Sequence, residues 1–202
     1  MSTNMEDAEK LKIIADKYQQ GLVLKEKQIA ALTHIEKHKS DLLVNLPVGY
    51  GKSIIYHLLP ALLKSDELPT PVIIVISPLN IIQKDQMTSL LDHGVSACRV
   101  NIKTCIEETT DDAEKQNYGA DMDDTVQNIA SGKYSIILCH PEAILNTAKG
   151  KELLSNERFK ENVAAVVVDE CHILEKWGED VRTALKKLGS LKVFSQMLLS
   201  LH

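Results

Sequence analysis

The stretch LPVGYGKS at residues 46–53 puts glycines, a lysine and a hydroxyl directly after the apolar run DLLVN. Glycines let backbone N–H groups converge on an anion at the start of a helix, a lysine reaches the phosphates, and the next hydroxyl holds Mg²⁺. Gly49 and Gly51 would form that loop, with Lys52 as the cation and Ser53 as the Mg²⁺ ligand. The strict G-x-x-x-x-G-K-[ST] pattern fails at Leu46, so a turn with a solvated lysine stays open as the alternative.

A carboxylate pair supports the phosphate-loop interpretation. The stretch VVVDECH at 166–172 puts Asp169 and Glu170 at the C-terminal end of an apolar run. In a parallel sheet that end lies at the edge where a phosphate loop also lies. Asp169 could bind Mg²⁺ through water, and Glu170 could orient and deprotonate an attacking water. Alone, such a pair is more often a polar strand end; with the loop, it predicts hydrolysis of a nucleoside triphosphate.

Four short aliphatic runs would have to position these groups. Their nearly continuous apolar character is typical of strands buried on both faces of a parallel sheet. They occupy residues 41–46, 71–77, 134–139 and 163–170. Helix-like stretches follow the first three: KSIIYHLLPALLK, IIQKDQMTSLLDHG with Gly94 as its stop, and PEAILNTAKG. Residues 1–40 also read as helical. Strands that alternate with helices predict a doubly wound α/β domain.

Composition indicates an ordinary globular chain. It has 202 residues, of which 44% are hydrophobic and 25% charged. No apolar run approaches the roughly 20 residues of a membrane span, and the charged N-terminus lacks a signal-like apolar core, so we expect an intracellular protein without a membrane partner. The whole chain has a net charge of −5. Residues 107–124 alone carry −7, so the other 184 residues sum to +2. We expect the four cysteines to be free thiols, because none forms a CxxC pair or a zinc-like spacing.

The segment DECHILEKWGEDVR at 169–182 resembles the DEAH box and aromatic-rich loop of RecQ-type ATP-dependent DNA helicases. The shared features are D-E-x-H followed by W-G-x-D-x-R. Four earlier stretches resemble that family's motifs in the same order: LKEKQIAAL, LPVGYGKSIIYHLLPALL, VISPLNIIQKDQ and SGKYSIILCHPEAIL. The resemblance implies a P-loop, RecA-like three-layer domain with a mainly parallel sheet. It would comprise an N-terminal helical extension at 1–20 and an ATP-binding lobe at 21–202, with an exposed acidic insertion at about 103–124.

The same resemblance implies ATP and Mg²⁺ as cofactors. Glu170 would be the general base, assisted by Lys52 and Asp169, and Ser53 with Asp169 would hold the metal. Gln28 would bind the adenine edge, although a lone helical glutamine is normally solvated. The ATP-binding residues would be Gln28, Pro47, Gly49, Tyr50, Gly51, Lys52 and Ser53.

DNA, single-stranded or partly duplex, is the partner that the resemblance implies. Trp177 would stack on a base, His172 would couple the nucleotide state to DNA or to a second lobe, and Arg182 would support that loop or sense the nucleotide. Ser77 and Gln86 would face the DNA backbone. The alternatives are a core tryptophan, a structural histidine, a surface arginine, a strand-end cap and a helix-surface amide, respectively.

Two departures bear on activity. Val48 stands where the family has threonine, and the chain ends at VFSQMLLSLH without a second lobe. Because the second lobe's arginine fingers can be worth about 10³–10⁵ in rate, we expect slow hydrolysis by this chain alone. The leading hypothesis is the motor lobe of a nuclear 3'-5' DNA helicase of repair or recombination. A non-enzymatic ATP- or DNA-binding module is the alternative, and an RNA-dependent DExH protein is disfavoured by W-G-x-D-x-R.

Overall fold

The part of the chain that the structure describes forms one six-stranded sheet. A computed structural model describes residues 5–38, 40–77, 80–100, 122–169 and 196–200. The strand order is β1-β6-β5-β2-β4-β3, and every neighbouring pair is parallel. The strands are β1 (Leu42–Asn45), β2 (Val72–Ile76), β3 (Ala97–Val100), β4 (Ile136–Cys139), β5 (Val163–Val168) and β6 (Gln196–Ser200).

Eight helices within the described ranges cover the two faces of the sheet. They are α1 (Met5–Tyr18), α2 (Glu26–His38), α3 (Lys52–Leu62), α4 (Asn80–Asp92), α5 (Met122–Ala130), α6 (Pro141–Asn146), α7 (Ala148–Ser155) and α8 (Glu157–Asn162). Alternate residues of β2 point to opposite faces. Ile73 and Val75 pack with residues of α1–α4, whereas Ile74 and Ile76 pack with residues of α5–α8. The predicted doubly wound, three-layer α/β fold is confirmed.

All four predicted strands are present, each within one or two residues of its predicted bounds at either end. The sequence did not predict β3 or β6. Strand β3 lies at the edge of the sheet, and its half-buried Arg99 interrupts the apolar run that marks the other strands. Strand β6 holds only three apolar residues, between Gln196 and Ser200.

Two predicted helical segments are each divided into two helices. Residues 1–40 contain α1 and α2, separated by a turn at Gly21, where φ is 77°. The stretch PEAILNTAKG contains α6 and the start of α7. Between them Thr147 is extended, and its hydroxyl accepts a hydrogen bond from the N–H of Gly150. Thr147 therefore caps a second helix, and the prediction of one continuous helix is wrong here. Gly94 does follow α4 with a φ of 71°, as predicted.

Helix α1 packs against α2 and α3 and is part of the same hydrophobic core. Its Leu11 and Ala15 are buried in the core that α2 and α3 share. Lys10 pairs with Glu36, and Lys37 pairs with Asp7, so two ion pairs also join α1 to α2. The domain boundaries at residues 20 and 21 stay a prediction, as does the acidic insertion, most of which lies outside the described residues. Its last three residues, 122–124, are helical.

No helix in the described ranges combines the length and apolar character that crossing a membrane requires.

Candidate nucleotide-binding site

The glycine-containing loop connects β1 to α3. Leu46, at the position where the strict pattern has glycine, is buried in the core and anchors the start of the loop. The N–H of Tyr50 donates to the carbonyl of Pro47 at 3.2 Å, which closes a turn. Gly49 and Gly51 have φ angles of 76° and 88°, a left-handed conformation that strongly favours glycine.

Helix α3 begins directly after this turn. Gly51 is its N-cap and supplies no side-chain hydrogen bond, and the helix opens with Lys52 and Ser53. The first N–H groups of a helix have no partner within it, and the helix dipole makes this end attractive to anions. Strand, turn and helix thus occur in the order that the phosphate-loop prediction requires. Val48 lies at the tip of the loop and is 77% exposed.

Gln28 is held by the loop in a way that the sequence did not predict. Its side chain is buried, its Oε1 accepts from the N–H of Lys25 at 2.8 Å, and its Nε2 donates to the carbonyls of Tyr50 and Gly51 at 3.2 and 2.8 Å. Gln28 therefore caps its own helix and ties α2 to the loop. The alternative of a solvated glutamine is wrong. The adenine contact stays a prediction, and it requires these amide hydrogen bonds to rearrange.

Two lysines lie against the loop. The ammonium of Lys52 donates to the carbonyl of Leu46 at 3.3 Å, so it lies across the loop that it is predicted to complete. The ammonium of Lys25 donates to the carbonyl of Tyr50 at 3.0 Å and lies 4.6 Å from the centre of the Tyr50 ring. Lys25 was not singled out from the sequence, because an exposed lysine at a helix start carries no signal of its own.

The two predicted magnesium ligands adjoin one buried side chain. Asp169 directly follows β5, is 8% exposed, and its N–H donates to the carbonyl of Ile76 at 2.9 Å. Burial raises the pKa of the Tyr56 phenol, the negative charge of Asp169 raises it further, and hydrogen bonding by the Ser53 side chain lowers it. Ser53 and Asp169 therefore both act on this one phenol, although they lie 116 positions apart in the chain.

A magnesium–nucleotide complex fits the residues present. Among the residues that the structure describes, no group of three or more His, Cys, Asp or Glu side chains could hold a metal by itself. One hydroxyl and one carboxylate instead match a metal that also binds phosphate oxygens.

The residues predicted to face the DNA backbone point inward. Ser77 is buried at the end of β2, and its carbonyl accepts from the Nε2 of Gln83 at 2.6 Å. Gln86 is half-buried and lies beside His57, so it is not a helix-surface amide. DNA contacts by Ser77 and Gln86 stay predictions. Gln83, fully buried, was missed, since nothing in the sequence distinguishes it from a surface glutamine.

The remaining predicted site residues lie outside the described residues: Glu170, His172, Trp177 and Arg182.

A buried Tyr–His pair joins α1 to the helix that starts at the loop. The Tyr18 hydroxyl and His57 Nδ1 are 2.7 Å apart, and the Tyr18 ring stacks on His93 at 4.4 Å. Burial lowers the pKa of His57 to about 4. The apolar neighbours of His57 in SIIYHLLP were the available signal for its burial. A tyrosine 39 positions away could not be identified as its partner from the sequence.

Cys98 and Cys139, the two cysteines that the structure describes, are buried thiols outside any disulfide, as predicted. Cys105 and Cys171 lie outside the described residues.

Comparison with known proteins supports the same interpretation. A family profile for DEAD/DEAH box helicases matches residues 25–200. The chain is 32% identical to the ATP-dependent DNA helicase Q-like SIM of Arabidopsis thaliana over 82% of its length. It is 32% identical to the ATP-dependent helicase SGS1 of Saccharomyces cerevisiae and 31% identical to RecQ of Pasteurella multocida, over 75% of its length in each case. The chain spans 16%, 10% and 20% of these relatives, respectively.

Solved structures match the fold. The DUF1998 helicase MrfA bound to DNA aligns with 99% of this chain at a TM-score of 0.63 and 16% identity, and the chain covers 27% of it. A hypothetical ATP-dependent RNA helicase from Sulfolobus tokodaii aligns with 98% at a TM-score of 0.60 and 14% identity, and the chain covers 50% of it. The resemblance to RecQ-type helicases is confirmed by the sequence relatives, and the RecA-like fold by the structures. With its phosphate-loop geometry and a profile match over most of its length, the chain belongs to the DEAD/DEAH box helicase family.

Proposed function

We propose that this chain is the ATP-binding motor lobe of a RecQ-like 3'-5' DNA helicase that acts in DNA repair or recombination. The main observation behind the proposal is that the glycine-containing loop and Asp169 both follow the C-terminal ends of strands in one parallel sheet. Two left-handed glycines precede Lys52 and Ser53 at the start of α3, and Asp169, which directly follows β5, acts electrostatically on Tyr56, one turn along α3 from Ser53. RecQ-type names among the relatives support DNA as the polymer.

In this proposal the loop binds Mg·ATP, which supplies the phosphoanhydride bond whose hydrolysis drives movement. Lys52 leaves the Leu46 carbonyl and binds phosphate oxygens, and the N–H groups of the loop and of the first turn of α3 bind the rest. Ser53 and Asp169 orient the metal. Glu170 accepts the proton of the attacking water, and Trp177 stacks on a DNA base.

We expect the isolated chain to hydrolyse ATP slowly. In related motors the transition-state charge is neutralised partly by an arginine from another lobe or protein, and its loss costs about 10³–10⁵ in rate. An intracellular setting fits a DNA-acting protein, and a nuclear one is proposed from the eukaryotic relatives.

The second candidate is a non-enzymatic module that binds ATP or single-stranded DNA. Val48 favours it, because an exposed valine replaces the threonine hydroxyl at the tip of the loop. This substitution removes a polar group without changing the branched shape at that position.

Single-turnover hydrolysis separates the two candidates. Excess chain is mixed with ATP and Mg²⁺, with and without a single-stranded oligonucleotide, and phosphate release is followed for wild type and Glu170→Gln. The motor lobe predicts slow release that DNA accelerates and that Glu170→Gln abolishes. Tight ATP binding without release, equal in both proteins, would support the binding module instead.

A further inference from the structure

Lys25 is joined to the glycine-containing loop by its side chain, and the proposed mechanism does not use it. The residue directly precedes α2, and it is exposed. Its ammonium donates to the carbonyl of Tyr50 at 3.0 Å and lies 4.6 Å from the centre of the Tyr50 ring. Holding a long lysine side chain in one place has an entropic cost. A hydrogen bond and a cation–π contact to the same residue offset that cost.

The carbonyl groups of Tyr50 and Gly51 are both held from the side of α2. The Nε2 of Gln28 donates to them at 3.2 and 2.8 Å, so the Tyr50 carbonyl accepts from Gln28 and from Lys25. In a planar trans peptide the C=O and the N–H that follows it point in opposite directions. The N–H groups of Gly51 and Lys52 therefore point away from α2. They are two of the donors that the proposed function assigns to phosphate.

The two side chains that hold the loop differ in what nucleotide binding would do to them. Gln28 is also predicted to bind the adenine edge, and in that role its amide leaves the loop carbonyls. The bond from Lys25 to the Tyr50 carbonyl requires no such rearrangement. Lys25 is therefore the contact between α2 and the loop that can persist when ATP is bound.

We propose that Lys25 is a positioning residue of the phosphate site. It holds the Tyr50 carbonyl from the side of α2 and thereby keeps the N–H groups of Gly51 and Lys52 directed at the phosphates. The inference rests on the proposed function. Lys25 acts through Tyr50 and does not itself touch the nucleotide. Because a loop whose donors are already oriented loses less freedom on binding, the contribution is to affinity for the triphosphate group, whatever base it carries.

The test compares Lys25→Met with wild type in the full chain, because methionine retains much of the apolar stem and removes the ammonium. Affinity for a fluorescent ATP analogue is measured with Mg²⁺, and affinity for inorganic triphosphate is measured by competition. We expect both to fall by the same factor, about three- to tenfold, for the loss of one hydrogen bond and one exposed cation–π contact. Lys25→Arg, which restores a cationic donor beside the ring, should recover most of the affinity.

A second measurement follows the loop without nucleotide. In a chain labelled with ¹⁵N-glycine, the amide resonance of Gly51 reports on the peptide that Lys25 holds. We expect Lys25→Met to shift this resonance in the nucleotide-free chain, which a lysine that acts only on bound nucleotide would not do. Lys27→Met is the matched control, since it removes an exposed lysine charge from the same end of α2. It should leave both affinities and the Gly51 resonance at their wild-type values.

Three results would overturn the inference while leaving the proposed function intact. Weaker binding of the ATP analogue alone would show that Lys25 contacts the base or the sugar. Weaker binding of both ligands with an unchanged Gly51 resonance would show that the ammonium binds phosphate directly. Equal affinities in Lys25→Met and wild type would show that the loop is oriented without it. If folded wild type binds neither ligand, the proposed function is refuted and the inference with it.

Discussion

At the scale of single residues, Gly51 combines two constraints at one position. Its φ of 88° is unfavourable for any residue with a side chain, and an added Cβ would lie 2.8 Å from the Nε2 of Gln28. Gly51→Ala should therefore lower the free energy of unfolding by about 1–2 kcal/mol from the left-handed backbone alone. It should also displace Gln28 and abolish nucleotide binding. Chemical denaturation and binding of a fluorescent ATP analogue measure the two effects.

Gly21→Ala is the control for this substitution. Gly21 has a similar φ of 77°, but an added Cβ would meet nothing within 4 Å. Gly21→Ala should lower the free energy of unfolding by the same backbone contribution, while its nucleotide affinity stays at the wild-type value. Nucleotide binding by Gly51→Ala at wild-type affinity would contradict the role assigned to the loop.

Residue types and spacing were sufficient to identify the loop but not its contacts. Gly49, Gly51, Lys52 and Ser53 could be recognised because their chemistry depends on their order along the chain. The three hydrogen bonds of Gln28 could not, because they depend on how α2 lies against the loop.

At the scale of elements, His57 makes the contact between α1 and α3 sensitive to pH. Its pKa is about 4 in the folded chain and about 6.5 in an unfolded one. Between these values the unfolded state binds the additional proton. The stability from neutral His57 is therefore present above about pH 6.5 and lost as the pH falls toward 4. The loss should be about 3 kcal/mol, given 1.36 kcal/mol per pKa unit.

Urea unfolding of wild type and His57→Gln from pH 7 to pH 4 measures this loss. Carboxylates titrate in the same window, so the informative quantity is the difference between the variant and wild type. His57→Gln should flatten the pH dependence by the amount above. An unchanged slope in His57→Gln would contradict the neutral, buried state of this histidine.

Helix α1 is expected to stabilise the lobe even though the sequence marked it only as an extension. Leu11 is 1% exposed and Ile13, two positions on, is 50% exposed. Leu11→Ala should lower the free energy of unfolding by about 2–5 kcal/mol, because it opens a cavity between α1, α2 and α3. Ile13→Ala, as the matched control, should cost less than about 1 kcal/mol. Equal small effects in a denaturation experiment would show that α1 does not pack as described.

The elements themselves were predictable to different degrees. The strands β2, β4 and β5 lie at the centre of the sheet and are buried on both faces, so their apolar runs identified them. Edge strand β3 carries Arg99 and gave no such run. The break at Thr147 was missed because a helix N-cap inside a continuous helix-like stretch depends on one side-chain hydrogen bond.

At the scale of the whole molecule, the proposed nucleotide-binding groups lie at the carboxyl edge of one RecA-like sheet. All six described strands are parallel, so the C-terminal ends of β1 and β5 lie at the same edge, and Ser53 and Asp169 follow those ends. The chain covers only 10–20% of the relatives named above. Unwinding by those relatives is therefore a property of much longer chains, whereas binding of Mg·ATP is the property that this lobe should have by itself.

Equilibrium binding of a fluorescent ATP analogue to wild type and Lys52→Ala is the decisive test for the Mg·ATP site. The lysine is partly exposed, and its ammonium makes one hydrogen bond among the described residues, to the Leu46 carbonyl, so its removal should leave the unfolding temperature within a few degrees of wild type. We expect saturable, magnesium-dependent binding by wild type and at least a tenfold loss in Lys52→Ala, which is about 1.4 kcal/mol. Absence of binding by folded wild type, or equal affinity in the two proteins, would contradict it.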